Sequence, residues 1–289
     1  MNHKKFLVPP GKRIRLRDYD PSFTGPYRDK EQVAGKLDQD VKGLAKYQNL
    51  LYAQNTYSVL VVLQAMDTAG KDGAIRHVMK GVSPLGTQVH SFKSPSAEEL
   101  DHDYLWRSMR ALPERGNIGI FNRSYYEEVL VVRVHPELLE AQNLPPEAKG
   151  EGIWKKRCEE INAFEKYLTG NGIVVLKFFL HLSKEEQKRR LLARIDTPEK
   201  NWKFSLADVE ERAHWDDYMK AYEDAINRTS TAHAPWHIVP ADNKWFTRAV
   251  IADVILAKLK SLDLRYPVAG KAHRRKLEEA KAVLEKEVS

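Results

Sequence analysis

The segment Ser58-Val-Leu-Val-Val-Leu-Gln-Ala-Met66 constrains the fold more than any other part of the 289-residue chain. It is a short, β-branched, continuously apolar run, the pattern of a strand buried on both faces of a parallel sheet. Such a strand needs helices on either side of it. Val33, Leu37, Val41, Leu44, Tyr47 and Leu51 recur at steps of three and four, which predicts an amphipathic helix within residues 27–55. Further strands are predicted at 87–92, 117–121, 172–180 and 236–240. Helices are predicted up to about residue 80, from Ser96 to 112, from Ser124 onward, and over 153–169, 183–195, 205–227 and 245–262. Five strands separated by helices indicate an α/β fold with a doubly wound, mainly parallel, five-stranded sheet. Residues 1–26, with Pro9, Pro10, Pro21 and Pro26, read as an extended arm, and 271–289 as a charged helical tail.

Hydrophobic content of 42% with 30% charged residues is a globular balance and excludes a disordered or disulfide-stapled chain. The one cysteine, Cys158, shares a helical apolar stripe with Trp154, Ile161 and Leu168 and reads as a core residue. One cysteine excludes internal disulfides and Cys-based zinc clusters and fits a reducing, cytoplasmic setting. No apolar run approaches the roughly 18 residues of a membrane span, and Pro9-Pro10-Gly11 after a basic N-terminus argues against a signal peptide. The charge, 47 Lys+Arg against 40 Asp+Glu, is +7, which points to a polyanionic partner. Lys4, Lys5, Lys12, Arg13, Arg15 and Arg17 all precede the first acid, Asp18, and Lys188–Lys203 holds six basic and two acidic residues.

Three motifs carry chemistry. Directly after the strongest strand comes Asp67-Thr68-Ala69-Gly70-Lys71-Asp72-Gly73. A glycine turn from a buried strand into a helix gathers backbone N–H groups at the positive end of the helix dipole, and a lysine there adds a mobile charge. Against G-x-x-x-x-G-K-[ST] the first glycine is Ala65 and the final hydroxyl residue is Asp72. Asp67 and Asp72 supply hard oxygens suited to Mg²⁺. The second motif, Asn122-Arg123-Ser124-Tyr125-Tyr126-Glu127-Glu128, follows the 117–121 strand, at the sheet edge where ligands bind in open α/β folds. Asn122 stands where a Walker B acid is expected, and Arg123 offers a planar fork for a transferring phosphoryl. In the third, Arg190 and Arg194 lie four apart on one helix and should address one target. Pro198, Lys200 and Lys203 follow as a lid.

Together these residues resemble the polyphosphate kinase 2 family of P-loop kinases over about 15–265. The carriers are Asp67-x-x-Gly70-Lys71-Asp72-Gly73, Asn122-Arg123-Ser124-Tyr125-Tyr126, and Arg190, Arg194, Pro198, Lys200, Trp202, Lys203 and Ser205. Many members carry Asp where this chain has Asn122. The resemblance implies a three-layer α/β/α P-loop kinase fold in one domain: arm and helix at 1–57, core at 58–265 with a lid at about 184–228, and tail at 266–289. It implies reversible, Mg²⁺-dependent phosphoryl transfer between inorganic polyphosphate and adenine nucleotides (AMP, ADP, ATP), and the form Phe-Asn-Arg-Ser-Tyr-Tyr-Glu-Glu resembles the subgroup acting on both AMP and ADP. The expected catalytic residues are Asp67, Lys71, Arg123, Arg190 and Arg194. Thr68, Ala69, Gly70, Lys71, Asp72, Gly73, Arg133, Lys200 and Lys203 are expected to bind phosphate. Asn122, Tyr126, Glu127 and Glu128 are expected to bind nucleotide, and Asp67 with Asp72 to hold Mg²⁺. A homo-oligomer is also implied, with neither membrane nor nucleic acid as partner. Two other readings stay open from the residues: an ATP-dependent nucleoside or nucleotide kinase, and a nucleic-acid-binding protein using the basic arm and lid.

Overall fold

The computed structural model describes residues 1–287. Five strands, β1 Ser58–Ala65, β2 Thr87–Ser91, β3 Ile118–Asn122, β4 Ile173–His181 and β5 Trp236–Pro240, form one sheet in the order β2-β3-β1-β4-β5. Every pairing is parallel. All eight residues of β1 are buried. Alternation divides them: Val59, Val61 and Leu63 pack into one apolar layer, Leu60 and Val62 into the other. The longer helices are α1 Glu31–Gln54, α2 Lys71–Val78, α3 Ile153–Gly170, α4 Lys184–Ile195, α5 Trp215–Thr229, α6 Lys244–Ser261 and α7 Lys271–Leu284. Residues of α1, α2 and α6 cover the first face, and those of α3 and α5 the second. This is the three-layer α/β/α arrangement.

The register sets Leu63 beside Asn122 and Phe178, and Ala65 beside Leu180. The loops after β1, β3, β4 and β5 therefore leave one edge of the sheet. The chain passes from β1 outward to β2 and β3, then crosses to β4 on the other side, so the switch point lies between β1 and β3. Ligand crevices form at such points.

Three expected helices differ. The 96–112 stretch is two short helices, Ala97–Leu100 and Trp106–Arg110; Asp103 Oδ1 accepts from Leu105 N and starts the second by an Asx turn. The segment after Ser124 begins as a 3₁₀ turn, Tyr125–Val129, with Ser124 Oγ accepting from Tyr126 N. The 205–227 stretch is broken at Glu211–His214, where Arg212 reaches Lys184 O and Gln187, and Glu211 meets His135 and Tyr218. In the expected 271–289 tail the helix ends at Leu284 and is exposed throughout; residues 288 and 289 lie outside the described residues. Among the described residues no helix is long and apolar enough to cross a membrane.

The arm is docked along the free edge of β5. Leu7 bridges antiparallel to His237, and Val8 N donates to Trp236 O at 2.8 Å. Further along, Ile14 and Leu16 are buried, while Arg13, Arg15 and Arg17 alternate outward. The chain start is pinned where His3 Nδ1 meets Asp253 at 2.8 Å and Lys36 joins Asp253 to Asp40. His233 and His237 are four residues apart, but they lie on a loop and a strand, so they do not share a helix face.

His237 is 5% exposed, and desolvation pushes its imidazole down to about 4 although Lys177 O favours the charged form. The unfolded chain binds this proton near the ordinary value of 6.5. Between those values the unfolded state holds more protons, so this contribution to stability is full above pH 6.5 and is lost as pH falls toward 4. The loss at full protonation is about 3 kcal/mol. Thermal melting across pH 4–7 should show this slope in the parent chain, and a shallower one in His237→Gln.

Candidate active site

Between β1 and α2 the chain turns sharply, with Thr68 at φ 66° and Gly70 at φ 104°. The left-handed geometry suits Gly70, which has no Cβ, and is strained at Thr68. The first amides of α2, those of Gly70, Lys71, Asp72 and Gly73, have no intrahelical partner, and no side chain caps them. They face outward as an anion cradle. Lys71, 9% exposed, folds back so that Nζ donates to Ala65 O at 2.9 Å. Burial, and then the neighbouring Arg123, push its ammonium below the ordinary lysine value.

The carbonyls of this loop point the other way, and α4 satisfies them. Gln187 Nε2 donates to Asp67 O at 3.2 Å. Arg190 Nη1 donates to Thr68 O and Ala69 O at 3.0 Å each, Nη2 to Ala241 O and Asp242 O at 2.7 and 2.8 Å, and Nε to Glu186 at 2.6 Å. A guanidinium has five N–H donors. All are engaged, so Arg190 is the strut behind the loop and has none free for a phosphoryl group. This corrects the expectation that it shares a target with Arg194.

Arg123, at φ 64°, follows the end of β3 and lies across the crevice. Its Nη2 donates to Asp67 at 2.6 Å and Nη1 to Glu127 at 3.0 Å, while Gln64 Nε2 holds the other Glu127 oxygen at 2.9 Å. Burial opposes the charge, but Glu127 and Asp67 hold the guanidinium above its ordinary value. Asn122 Nδ2 donates to Asp72 at 2.7 Å, leaving Asn122 Oδ1 buried without a partner; Thr68 Oγ1 is likewise unpartnered. The structure thus brings Asp67, Lys71, Asp72, Asn122, Arg123 and Glu127 together.

Other expected residues go elsewhere. Tyr126 is fully buried: its hydroxyl donates to Glu165 Oε1 at 2.9 Å and accepts from Lys177 Nζ at 2.8 Å, so it does not face a nucleotide. Lys177 also binds Glu165 at 2.6 Å and Thr229 O at 2.7 Å. This buried pair anchors the 3₁₀ turn from inside. Glu128, adjacent to Glu127, turns the opposite way onto Arg157 at 2.9 Å and Gln142 at 2.8 Å; burial pushes its carboxyl up although Arg157 opposes this. Arg133 is paired with Asp224 at 2.7 Å and is not part of the cluster. Arg194 binds Asp208 at 2.8 Å. Lys200 and Lys203 are exposed, with Lys203 over the Trp202 ring.

Several neighbours were not expected. Burial, then the charge of Asp67 across the cleft, push Asp208 up. Tyr222 of α5 is raised by burial and then by Glu127. Lys244 and Arg248 of α6 lie over the loop: a Cβ built on Gly70 would sit 3.8 Å from Lys244 Cε, and one on Gly73 3.5 Å from Arg248 Nη2. Lys244 follows β5 closely, so applying the strand-end rule to Trp236–Pro240 would have found it. On the other side of Arg123 a cavity of about 450 Å³ opens, with Phe92, Val131, Val132 and Leu138 as apolar wall and Ser94, Arg107 and Glu127 as polar groups. That size and mixture suit a small organic ligand.

Comparison with known proteins agrees with the geometry. Residues 27–267 match the family model described as Polyphosphate kinase 2 (PPK2). The chain is 51% identical over 275 residues to an ADP-polyphosphate phosphotransferase of Rhodopseudomonas palustris, covering 95% of each. It is 45% identical over 265 residues to an AMP/ADP-polyphosphate phosphotransferase of Meiothermus ruber, covering 91% of this chain and 95% of the relative. The crystal structure of polyphosphate kinase 2 from Arthrobacter aurescens TC1 superposes with a TM-score of 0.86 at 39% identity, over 96% of both chains. The cradle after β1, the arginine after β3 and these likenesses converge, and the chain belongs to the polyphosphate kinase 2 family.

Proposed function

We propose that this enzyme transfers phosphoryl groups reversibly between inorganic polyphosphate and adenine nucleotides, converting AMP to ADP and ADP to ATP. The observation that carries the reading is the placement of Arg123 between the anion cradle and the apolar-walled cavity. A phosphoryl group passing from a chain on the cradle to a nucleotide in the cavity has to pass this guanidinium. The names of the Rhodopseudomonas palustris and Meiothermus ruber relatives support polyphosphate with ADP, and with AMP and ADP. A cytoplasmic, homo-oligomeric setting belongs to the same proposal and rests on the family resemblance.

The chain's own groups divide the work. The Gly70–Gly73 amides and Lys71 bind the donor phosphates beside the scissile bond. Lys71 exchanges its bond to Ala65 O for a phosphate oxygen. Arg123, already held by Asp67 and Glu127, meets the charge on the migrating phosphoryl without reorganising, which is where preorganised donors are worth most. The cavity wall takes the base, and Glu127 keeps Arg123 oriented. Little covalent chemistry is asked of the protein.

The residues also fit Mg²⁺. Asp67 and Asp72 supply carboxylates in the crevice, and Asn122, which donates through Nδ2 to Asp72, keeps Oδ1 buried with no partner. Among the described residues no cluster of three or more His, Cys, Asp or Glu forms a cage, as suits an ion bound by one or two carboxylates together with substrate phosphates. When bound, the ion would neutralise phosphate charge.

The deciding assay offers AMP or ADP with polyphosphate; ATP formation is expected. No ATP formation, with transfer from ATP to a nucleoside, would instead identify an ATP-dependent kinase. Lys71→Ala and Arg123→Ala should each lower kcat by about 10³ with the melting temperature retained; near-parental turnover removes that residue from the mechanism. Because the Lys71 ammonium is depressed in the free enzyme, a bound polyanion should restore its proton. Calorimetric titration in two buffers of different ionisation enthalpy should therefore detect proton uptake on polyphosphate binding as pH rises toward the ordinary lysine value of 10.5, diminished in Lys71→Met.

A further inference from the structure

Arg123 keeps a left-handed backbone, φ 64°, without being glycine. A bulky residue in that region is strained and stays there only where its surroundings over-determine it. Relaxing φ to the ordinary negative range would re-aim the side chain, so whatever holds this backbone also decides where the guanidinium points. On the strand side the hold is direct: Arg123 N donates to Leu63 O at 3.1 Å, and Asn122 O accepts from Phe92 N at 3.1 Å. On the other side the chain enters the Tyr125–Val129 turn. Arg123 and its partner Glu127 are brought together by that turn, with Ser124, Tyr125 and Tyr126 between them.

Both tyrosine hydroxyls donate to one oxygen, Glu165 Oε1, at 2.9 Å each. Glu165 lies on α3 and Lys177 in the middle of β4, and both are wholly buried. Lys177 Nζ donates to Glu165 Oε2, to the Tyr126 hydroxyl and to Thr229 O, while Trp236 Nε1 donates to Thr229 Oγ1 at 2.8 Å. The rings are clamped as well: Tyr126 meets Trp236 edge-on with centroids 4.7 Å apart, and Tyr125 meets Phe164 edge-on at 5.5 Å. One cluster thus joins the turn to α3, β4, α5 and β5. Burying an ion pair carries a desolvation cost that well-packed apolar side chains would avoid. What an apolar pair could not supply is a fixed acceptor for two hydroxyls. Two neighbouring residues held at a single atom leave the turn little freedom to rotate.

We propose that Glu165 and Lys177 are positioning residues for phosphoryl transfer: through the hydroxyls of Tyr125 and Tyr126 they keep Arg123 in its left-handed conformation, with its guanidinium in the crevice. This rests on the phosphotransfer reading above and adds the part of the protein that aims its central arginine. All four side chains are fully buried, so they act through Arg123 and not on substrate. A misaimed donor is missed most where charge develops in the transition state, so turnover should suffer and substrate binding should not.

The test is Tyr125→Phe/Tyr126→Phe, which keeps both rings and the ion pair and cuts only the hydroxyl link; Tyr126→Phe alone is the milder variant should the double one fail to fold. In the double variant kcat should fall about tenfold, or about 1.4 kcal/mol of barrier, and in the single variant about threefold, while the KM values for ADP and polyphosphate move less than about twofold. In an Arg123→Ala background the same substitutions should change kcat less than about twofold, because the link acts only through that guanidinium. An unchanged kcat in the folded variant overturns the proposal, and so does an equal loss in the Arg123→Ala background. Nitrogen-15 relaxation of the Arg123 Nε–Hε group, measured without substrate, reads the positioning directly: its order parameter or chemical shift should change in the variant. A lower kcat with no change at Arg123 Nε overturns the proposal as well. If the parent makes no ATP but the variant alters the Arg123 signal, phosphotransfer fails and the positioning stands. If the parent makes ATP and the variant alters neither kcat nor the signal, the positioning fails and phosphotransfer stands. If the parent makes no ATP and the signal is unchanged, both fail.

Discussion

A loop that turns its amides toward an anion turns its carbonyls into the protein, and buried carbonyls need donors. In this enzyme one guanidinium supplies most of them. Arg190 ties Thr68 and Ala69 of the β1 loop to Ala241 and Asp242 of the β5 loop, and Gln187, one turn earlier, takes Asp67 O. Two loops from separate strands are thereby fixed to one helix. Thr68 can remain at a positive φ because these contacts over-determine it.

The crevice itself is organised by charge. Arg123 sits between Asp67 and Glu127, Glu127 is fixed by Gln64, and Lys71 rests on Ala65 O. Each cation is held in place by the protein's own groups. Below this layer the Lys177–Glu165 pair, wholly buried, holds the hydroxyls of Tyr125 and Tyr126 and so keeps the turn after Arg123 rigid. Removing one member of such a buried pair leaves an uncompensated charge, typically a loss of about 3–5 kcal/mol. These two tyrosines are therefore part of the scaffold of the site, not its surface.

Legibility differed from residue to residue for physical reasons. Strand β1 was readable because burial on both faces leaves an unbroken apolar run, and Asp67–Gly73 was readable because a glycine turn between strand and helix has a local purpose. Glu127 and Glu128 are neighbours with the same chemistry, but on a 3₁₀ turn they face opposite ways: one to Arg123, the other to Arg157. The spacing of Arg190 and Arg194 described the helix correctly and the partners wrongly. Four-residue spacing predicts a shared face, but Gln187 and Arg190 are buried against two loops while Arg194, near the helix end, pairs with Asp208. Helix breaks at Asp101–Leu105 and Glu211–His214 depend on an Asx turn and on Arg212 and His135, partners that periodicity does not register.

By itself the sequence determined the parallel α/β architecture, the glycine turn after β1 and the arginine after β3, since each follows from local burial or from backbone geometry within a few residues. It also carried enough family pattern to indicate a polyphosphate-linked kinase. Only the tertiary structure decided which charges are free. Pairing is a long-range property: Arg133 meets Asp224 and Arg190 meets Ala241 across 91 and 51 residues. Lys244, unremarkable in its own helix, comes to lie over Gly70 because β5 ends beside β4 at the same edge as β1.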